Sequence, residues 1–509
     1  MNTRLFWLLL VFAALAVGYG ILRLRDFQQE QLALAFEDEV SQVLVAEKIE
    51  DELERCLKTP NPTEFEWSSD IVDAFCRLGT RKLVSWNEIR EAVASNHPEV
   101  LQQIFDSYAT RNFDEKQHGL LTWALKTRFE NSESDRLEVI QQWLTEDPHS
   151  SYALTARGLH ELAQAEDSRG ENLANKIPRE SLASMRAFSA QAYDDLNAAV
   201  QRNGRALPAY HGLIVLGMMN GNRALVESSV KAALAVDPAD HSIYTDWLHA
   251  EEPRWGGSMA AMEAAVALGL SHADENPLLK RLKARPYCYR AEMTNCAECN
   301  SQGIEGEKKA LKLYESAAAL APDICVFDGA GDTAVRAGDP KEAVRFFSQA
   351  YRFLGNKSFV IRRSIALQDL GKSQSALDSI ENILRDDPTN VEALDHKGWV
   401  YLGMQRVKDA EDAFRKAFEV DSTDRQASAE LVLIYTDRMG KPDRATEVID
   451  QLARENPRSP RIPLLRSVVD KAHCREYLGQ YLKMVDGTNV DAYEERDIAR
   501  AKKRLAELH

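Results

Sequence analysis

The chain has 509 residues, too many for one compact globule, so several units or an extended array are expected. It is 44% hydrophobic and 28% charged, which excludes wholesale disorder. Its 63 Lys and Arg stand against 79 Asp and Glu, a net charge of −16 that argues against nucleic acid, whose phosphates need cations, and favours neutral or basic partners.

The first element is apolar. Residues 5–22 form an uncharged run of 18 residues inside "MNTRLFWLLLVFAALAVGYGILRLR". As a helix it reaches roughly 27 Å, enough to cross a hydrocarbon core. A cleaved leader is the competing reading, since Arg4 and Ala14-Leu15-Ala16 resemble its parts. The run continues past Ala16, so residues 1–25 are read as an uncleaved transmembrane anchor of a bacterial inner-membrane protein. A short tail before a first apolar segment directs the downstream chain to the far side, so the body is expected in the periplasm, although Arg23 and Arg25 oppose that orientation. Residues 26–58 read as a polar, acidic helix, a stalk lifting the body off the bilayer.

Residues 59–290 are helical but not cleanly periodic. A fainter hairpin lies at 207–240, with Tyr210, Gly217, Val230, Ala233 and Pro238. "PRWGGS", 253–258, reads as a helix break: Pro253 ends one helix, Gly256 and Gly257 turn the chain, and Ser258 caps the next. The competing reading is a ligand-gripping loop in which Arg254 meets an anion. Together with Trp143, Pro148, Ser150, Arg169 and Gly170, this motif resembles an uncharacterised bacterial helical domain, for which the resemblance implies tetratricopeptide-like hairpins and no mechanism.

"CYRAEMTNCAEC", 288–299, is the one local cluster with chemistry. Cys288, Cys296 and Cys299 could supply three thiolates to zinc, but no fourth ligand is close behind them in the chain. A redox pair, a structural disulfide and simple buried thiols stay open, the disulfide favoured if the body is exported. Cys325 could join only if the fold brings it back.

From 291 to 459 the chain turns periodic. In residues 391–424, Gly398 and Ala410 are small where two antiparallel helices must approach, and Tyr401 and Phe414 are large where the gap must be filled. Pro322, Pro388, Ser422 and Pro457 recur at the closing position, and the unit 425–459 carries one extra residue, read in the turn at "MGKPD". This pattern resembles the tetratricopeptide repeat. Residues 460–509 read as two capping helices beyond Pro463. The fold class is therefore all-α, a tetratricopeptide-like α-solenoid with an N-terminal transmembrane helix.

No phosphate-binding loop, nucleophile elbow or dinucleotide fingerprint is present, and His160-Glu161 lacks the second His of a zincin. No catalytic residue, cofactor or small-molecule substrate is expected. The tetratricopeptide resemblance implies a binding groove lined by the first helix of each hairpin. Carried onto this sequence, that groove holds Asp328, Asp332, Gln368, Glu392, Asp395, Trp399, Leu402 and Leu433, with Ile361, Ile365, Gln426, Ala429 and Thr436 beside them. An aromatic ringed by carboxylates suits a peptide carrying Lys or Arg. The expected function is a membrane-anchored scaffold that holds a partner protein in an envelope assembly. The rival is a thiol or zinc enzyme at Cys288, Cys296 and Cys299.

Overall fold

The computed structural model describes residues 31, 33–95, 98–170, 177–295, 303–487 and 492–508. The apolar run at 5–22 lies outside them. Among the described residues every regular element is helical, and no helix is long and apolar enough to cross a membrane. They fall into two compact units. The central unit is Thr63–Thr333, and the repeat unit joins the described residues up to Pro62 to Ala334–His509.

In the repeat unit, helices Pro340–Leu354, Ser358–Asp369, Ser373–Asp386, Val391–Gly403, Val407–Val420, Arg425–Leu433 and Pro442–Glu455 each pack on the next. First helices of successive hairpins also touch, Ser358–Asp369 against Val391–Gly403, and Arg425–Leu433 against Arg461–Val469. The hairpin at 391–420 shows why. Ala393, Ala410, Phe414 and Ala417 are wholly buried, and a Cβ placed on Gly398 would lie 2.6 Å from the Phe414 ring. Only a hydrogen there lets the two backbones close around that ring. Asn390 and Asp424 accept the Ala393 and Ala427 amides and start their helices.

The turn between helices needs a left-handed residue, supplied by Gly338, Gly371 and Gly440, and at the equivalent place by Gln405 at φ 60°. The extra residue of unit 425–459 is not absorbed in this turn. It is taken up one step earlier, where Ile434–Arg438 forms a π turn, with the Met439 amide donating to the Ile434 carbonyl at 2.9 Å. Beyond the last repeat stand three helices rather than two, Arg461–Val469, Cys474–Val485 and Ala492–Glu507. They are closed by Leu478, Tyr481 and Ala501, with Pro463 accommodated in the first turn of the first.

The segment expected to be a stalk is docked on this unit. Helix 33–46 buries Phe36, Val40 and Val43. Beyond it, Glu47 forms a bidentate pair with Arg363 at 2.5 and 2.8 Å, both side chains almost fully buried. Arg345 lies 3.3 Å from Glu39, and Lys372 pairs with Glu37. Arg352 donates to the Cys56 carbonyl at 2.7 Å and to Asn61 at 2.8 Å. The acidic side chains Glu37, Glu39 and Glu47 of the expected stalk thus meet repeat-unit cations, and residues 33–62 form a strap.

The central unit runs from Ser69–Gly79 through Ser151–Arg169, Arg179–Arg202, Leu207–Met219, Arg223–Val236 and His241–Ala250 to Gly303–Leu320. Its core gathers Phe105, Phe129, Trp143 and Tyr152, with ring centroids 5.6–6.1 Å apart around Phe105. Gly158 and Gly212 seat Leu196 between neighbouring helices.

Candidate functional site

Four of the groove residues read from the sequence meet around one open depression of the repeat unit, about 440 Å³ in volume. Gln368, Trp399, Leu402 and Leu433 line it together with Gly403, Glu430, Ile434, Asp437 and Arg438. Trp399 is 38% exposed and Leu433 37%, high for such large apolar groups. The indole is oriented rather than loose. It stands edge-on to Phe414 with centroids 5.9 Å apart, its Nε1 faces Gln426 Oε1 at 3.4 Å, and Gln368 donates to the Trp399 carbonyl at 3.3 Å. Asp437 and Arg438 reach the depression from the π turn. Neither is singled out by the repeat pattern; the extra residue of that unit is the only sequence signal that points to them.

The remaining groove residues separate. Glu392 is exposed on the same helix as Trp399. Asp395, one turn before Trp399, is buried and does not present a carboxylate to solvent. Burial first, then the neighbouring Asp424 carboxylate with which it shares a hydrogen bond, push it up to about 8. It is therefore protonated at neutral pH and adds no charge to the groove. Asp328 is exposed and Asp332 half-buried on Ile324–Ala337, and both belong to the central unit. Ile361 is core, whereas Ile365 is 38% exposed. Burial alone raises Glu430 to about 7 against the opposing pull of Arg438.

The cysteine cluster does not assemble as three thiolates. Cys288 is bonded to Cys325, which returns from 37 residues downstream. Cys296 and Cys299 lie outside the described residues. No group of three or more His, Cys, Asp or Glu is placed to hold a metal among the described residues.

The PRWGGS corner is a braced joint. Arg169 lies over the Trp255 ring at 4.8 Å, and the Trp255 indole donates to His249 at 3.1 Å. Arg254 is held by Glu252 at 2.6 Å and Glu292 at 3.1 Å, so its charge is already matched. Gly257 lies so close to the Glu251 backbone that no side chain fits. Behind this corner is a polar network with no signature in the sequence. His211, fully buried, bridges Glu130 at 2.8 Å and Asp246 at 2.6 Å. Burial would lower His211, but Asp246 and Glu130 override it and hold it up to about 9. Three helix termini or faces, at 130, 211 and 246, are clamped by one imidazolium.

No family model matches the chain, and no curated protein is similar to it. Among solved structures it is similar to YrrB, described as a TPR protein with an unusual peptide-binding site. Identity there is 21% across 37% of this chain and 92% of that one, with a TM-score of 0.27. A tetratricopeptide repeat protein from Parabacteroides merdae matches at 14% identity, across 58% of this chain and 98% of that one, TM-score 0.32. The APC/C hetero-tetramer Cut9-Hcn1 matches at 11% identity, across 85% and 90%, TM-score 0.28. The structural neighbours named by fold are thus tetratricopeptide repeat proteins, and at these identities and scores they assign no ligand.

Proposed function

We propose that this protein is a binding scaffold whose repeat unit captures a segment of a partner protein at the Trp399 depression, without covalent chemistry. The observation that carries this reading is an exposed but fixed tryptophan flanked by Leu433 and Leu402 in a concave site of about 440 Å³. Buried aromatic anchors dominate protein recognition energetics, and a preoriented ring loses little entropy on capture. The apolar run at 5–22 supports a tether in a bacterial inner membrane. A disulfide between Cys288 and Cys325 favours an oxidising compartment, hence a periplasmic body serving an envelope assembly.

The test is photocrosslinking in cells from an analogue placed at Gln368, compared with one at exposed Glu419 on a different helix. A discrete partner captured from position 368, and lost with Trp399→Ala, supports the groove. Identical products from both positions, or products indifferent to Trp399→Ala, refute it. Protease protection of the body in intact spheroplasts decides the membrane side.

A further inference from the structure

Resting on that reading of the groove, we propose that the Trp399 depression seats a lysine or arginine side chain of its partner, and that seating this cation drives one proton off Glu430 into solvent.

The lining sets the chemistry. Two carboxylates, Glu430 and Asp437, face one cation, Arg438, and the exposed indole offers an electron-rich face beside them. Lysine and arginine are the side chains that gain from both a carboxylate and an aromatic face. An acidic segment would instead meet the Asp437 carboxylate, and Glu430 as a second like charge once that residue ionises.

Glu430 sits among Trp399, Leu433 and Ile434, where desolvation outweighs the attraction of Arg438. The charged group that acts on it is Arg438 from the adjoining π turn; Asp437 of the same turn lines the depression, and Asp395 on the helix Val391–Gly403 is the other titratable group within electrostatic reach. Asp395 keeps its proton at neutral pH, shared with Asp424, and does not line the depression. With Glu430 held near 7, the empty groove holds its proton in slightly acidic solution. An arriving ammonium or guanidinium supplies the missing counter-charge and favours the carboxylate. The balance is Glu430–COOH plus a cationic segment giving the carboxylate–cation pair plus one proton released to solvent. Above the free-state value no proton needs to leave. Affinity therefore rises with pH up to about 8 and then levels, by roughly thirtyfold from pH 5.5 to pH 8 if one proton is released.

The experiment uses the full-length chain and the probe peptide acetyl-Lys-Leu-Arg-Leu-Lys-amide, whose own charge is constant across this range. Calorimetry at pH 6 in buffers of different ionisation enthalpy counts the protons. Expected are close to one proton released at pH 6 and almost none at pH 8.5, with the release abolished and the affinity made pH-independent by Glu430→Gln. Gln mimics the protonated acid, so this variant keeps the fold at pH 6. A release that persists in Glu430→Gln, or that disappears in Asp395→Asn instead, overturns the proposal while leaving the groove intact. So does binding with no proton release. Failure of the probe to bind at any pH, or binding indifferent to Trp399→Ala, overturns the groove reading and this inference with it.

Discussion

Replacing Glu47 by Gln tests whether the N-terminal strap is part of the repeat unit. Gln keeps the shape but leaves the Arg363 guanidinium buried without its carboxylate. In the structure Arg363 donates to both Glu47 oxygens, and its side chain is 1% exposed against 4% for Glu47. Its other contacts are hydroxyls, Ser379 Oγ at 3.1 Å and Ser348 Oγ at 3.4 Å, which cannot neutralise it. Breaking a buried pair from one side costs about 3–5 kcal/mol. At about 1.4 kcal/mol per tenfold, the strap's opening equilibrium should rise by roughly two to three and a half orders of magnitude. The chain has two units, so a global melt mixes transitions, and amide hydrogen exchange read on peptides covering 33–46 is the right assay. Expected is a hundredfold or greater acceleration there, with helices of the central unit unchanged. The double replacement Glu47→Leu with Arg363→Met removes both charges and should return exchange to within about tenfold of the parent. Exchange within threefold of the parent in Glu47→Gln would show the pair to be solvated and the strap held by something else.

Gln405→Gly relieves a left-handed residue at the hairpin turn and should stabilise the repeat unit by about 0.5–1 kcal/mol, read as a higher melting midpoint of its own transition; a lower midpoint refutes it. Asp395 is held neutral by the fold, so the folded chain binds more protons than the unfolded one between about pH 4 and pH 8, and stability falls as pH rises through that window. Asp395→Asn removes this loss: its urea midpoint should gain on the parent steadily from pH 5 to pH 7.5, and a constant gap contradicts the buried acid. Cys288→Ser with Cys325→Ser opens a link spanning 37 residues and should cost about 3–4 kcal/mol in the central unit, read as a lower melting midpoint of its own transition; an unchanged midpoint sinks that pairing.

The features legible in the sequence are local ones. Gly398, Ala410, Tyr401 and Phe414 interlock within one hairpin, and their spacing alone foretells close approach because both partners lie within 17 residues. The strap is invisible for the opposite reason. Glu47 and Arg363 are 316 residues apart, and a lone Arg inside a helix ordinarily faces water. Long sequence separation likewise hides Arg169 over Trp255, and Glu130 against His211. Asp395 shows a subtler failure. It is four residues before Trp399, so helical spacing puts both on one face. The next hairpin buries one and leaves the other open, its Asp424 packing against Asp395 while Trp399 stays 38% exposed beside Leu433 at the depression. Position within a repeat fixes direction, but the neighbour's side chains fix exposure.

The π turn joins these two levels. A unit of 35 residues stacked among units of about 34 must place one residue outside the shared register. Set in the loop, it would have lengthened a solvated turn and left the helix face unchanged. Set in the helix instead, it widens the backbone at Ile434–Arg438 while Ile434 and Tyr435 remain buried. Asp437 and Arg438 then stand at the Trp399 depression. A regular α-turn would advance each residue by about 100°, so the inserted residue changes which side chains face the groove without disturbing the core pair before it. Backbone irregularity inside a repeat is costly unless something over-determines it, and here the buried pair Ile434 and Tyr435, with Tyr435 donating to Glu411 at 2.9 Å, supplies that constraint. The charge pattern at the mouth of the groove thus stems from one inserted residue and a fixed core, which is why it distinguishes this hairpin from its neighbours of regular length.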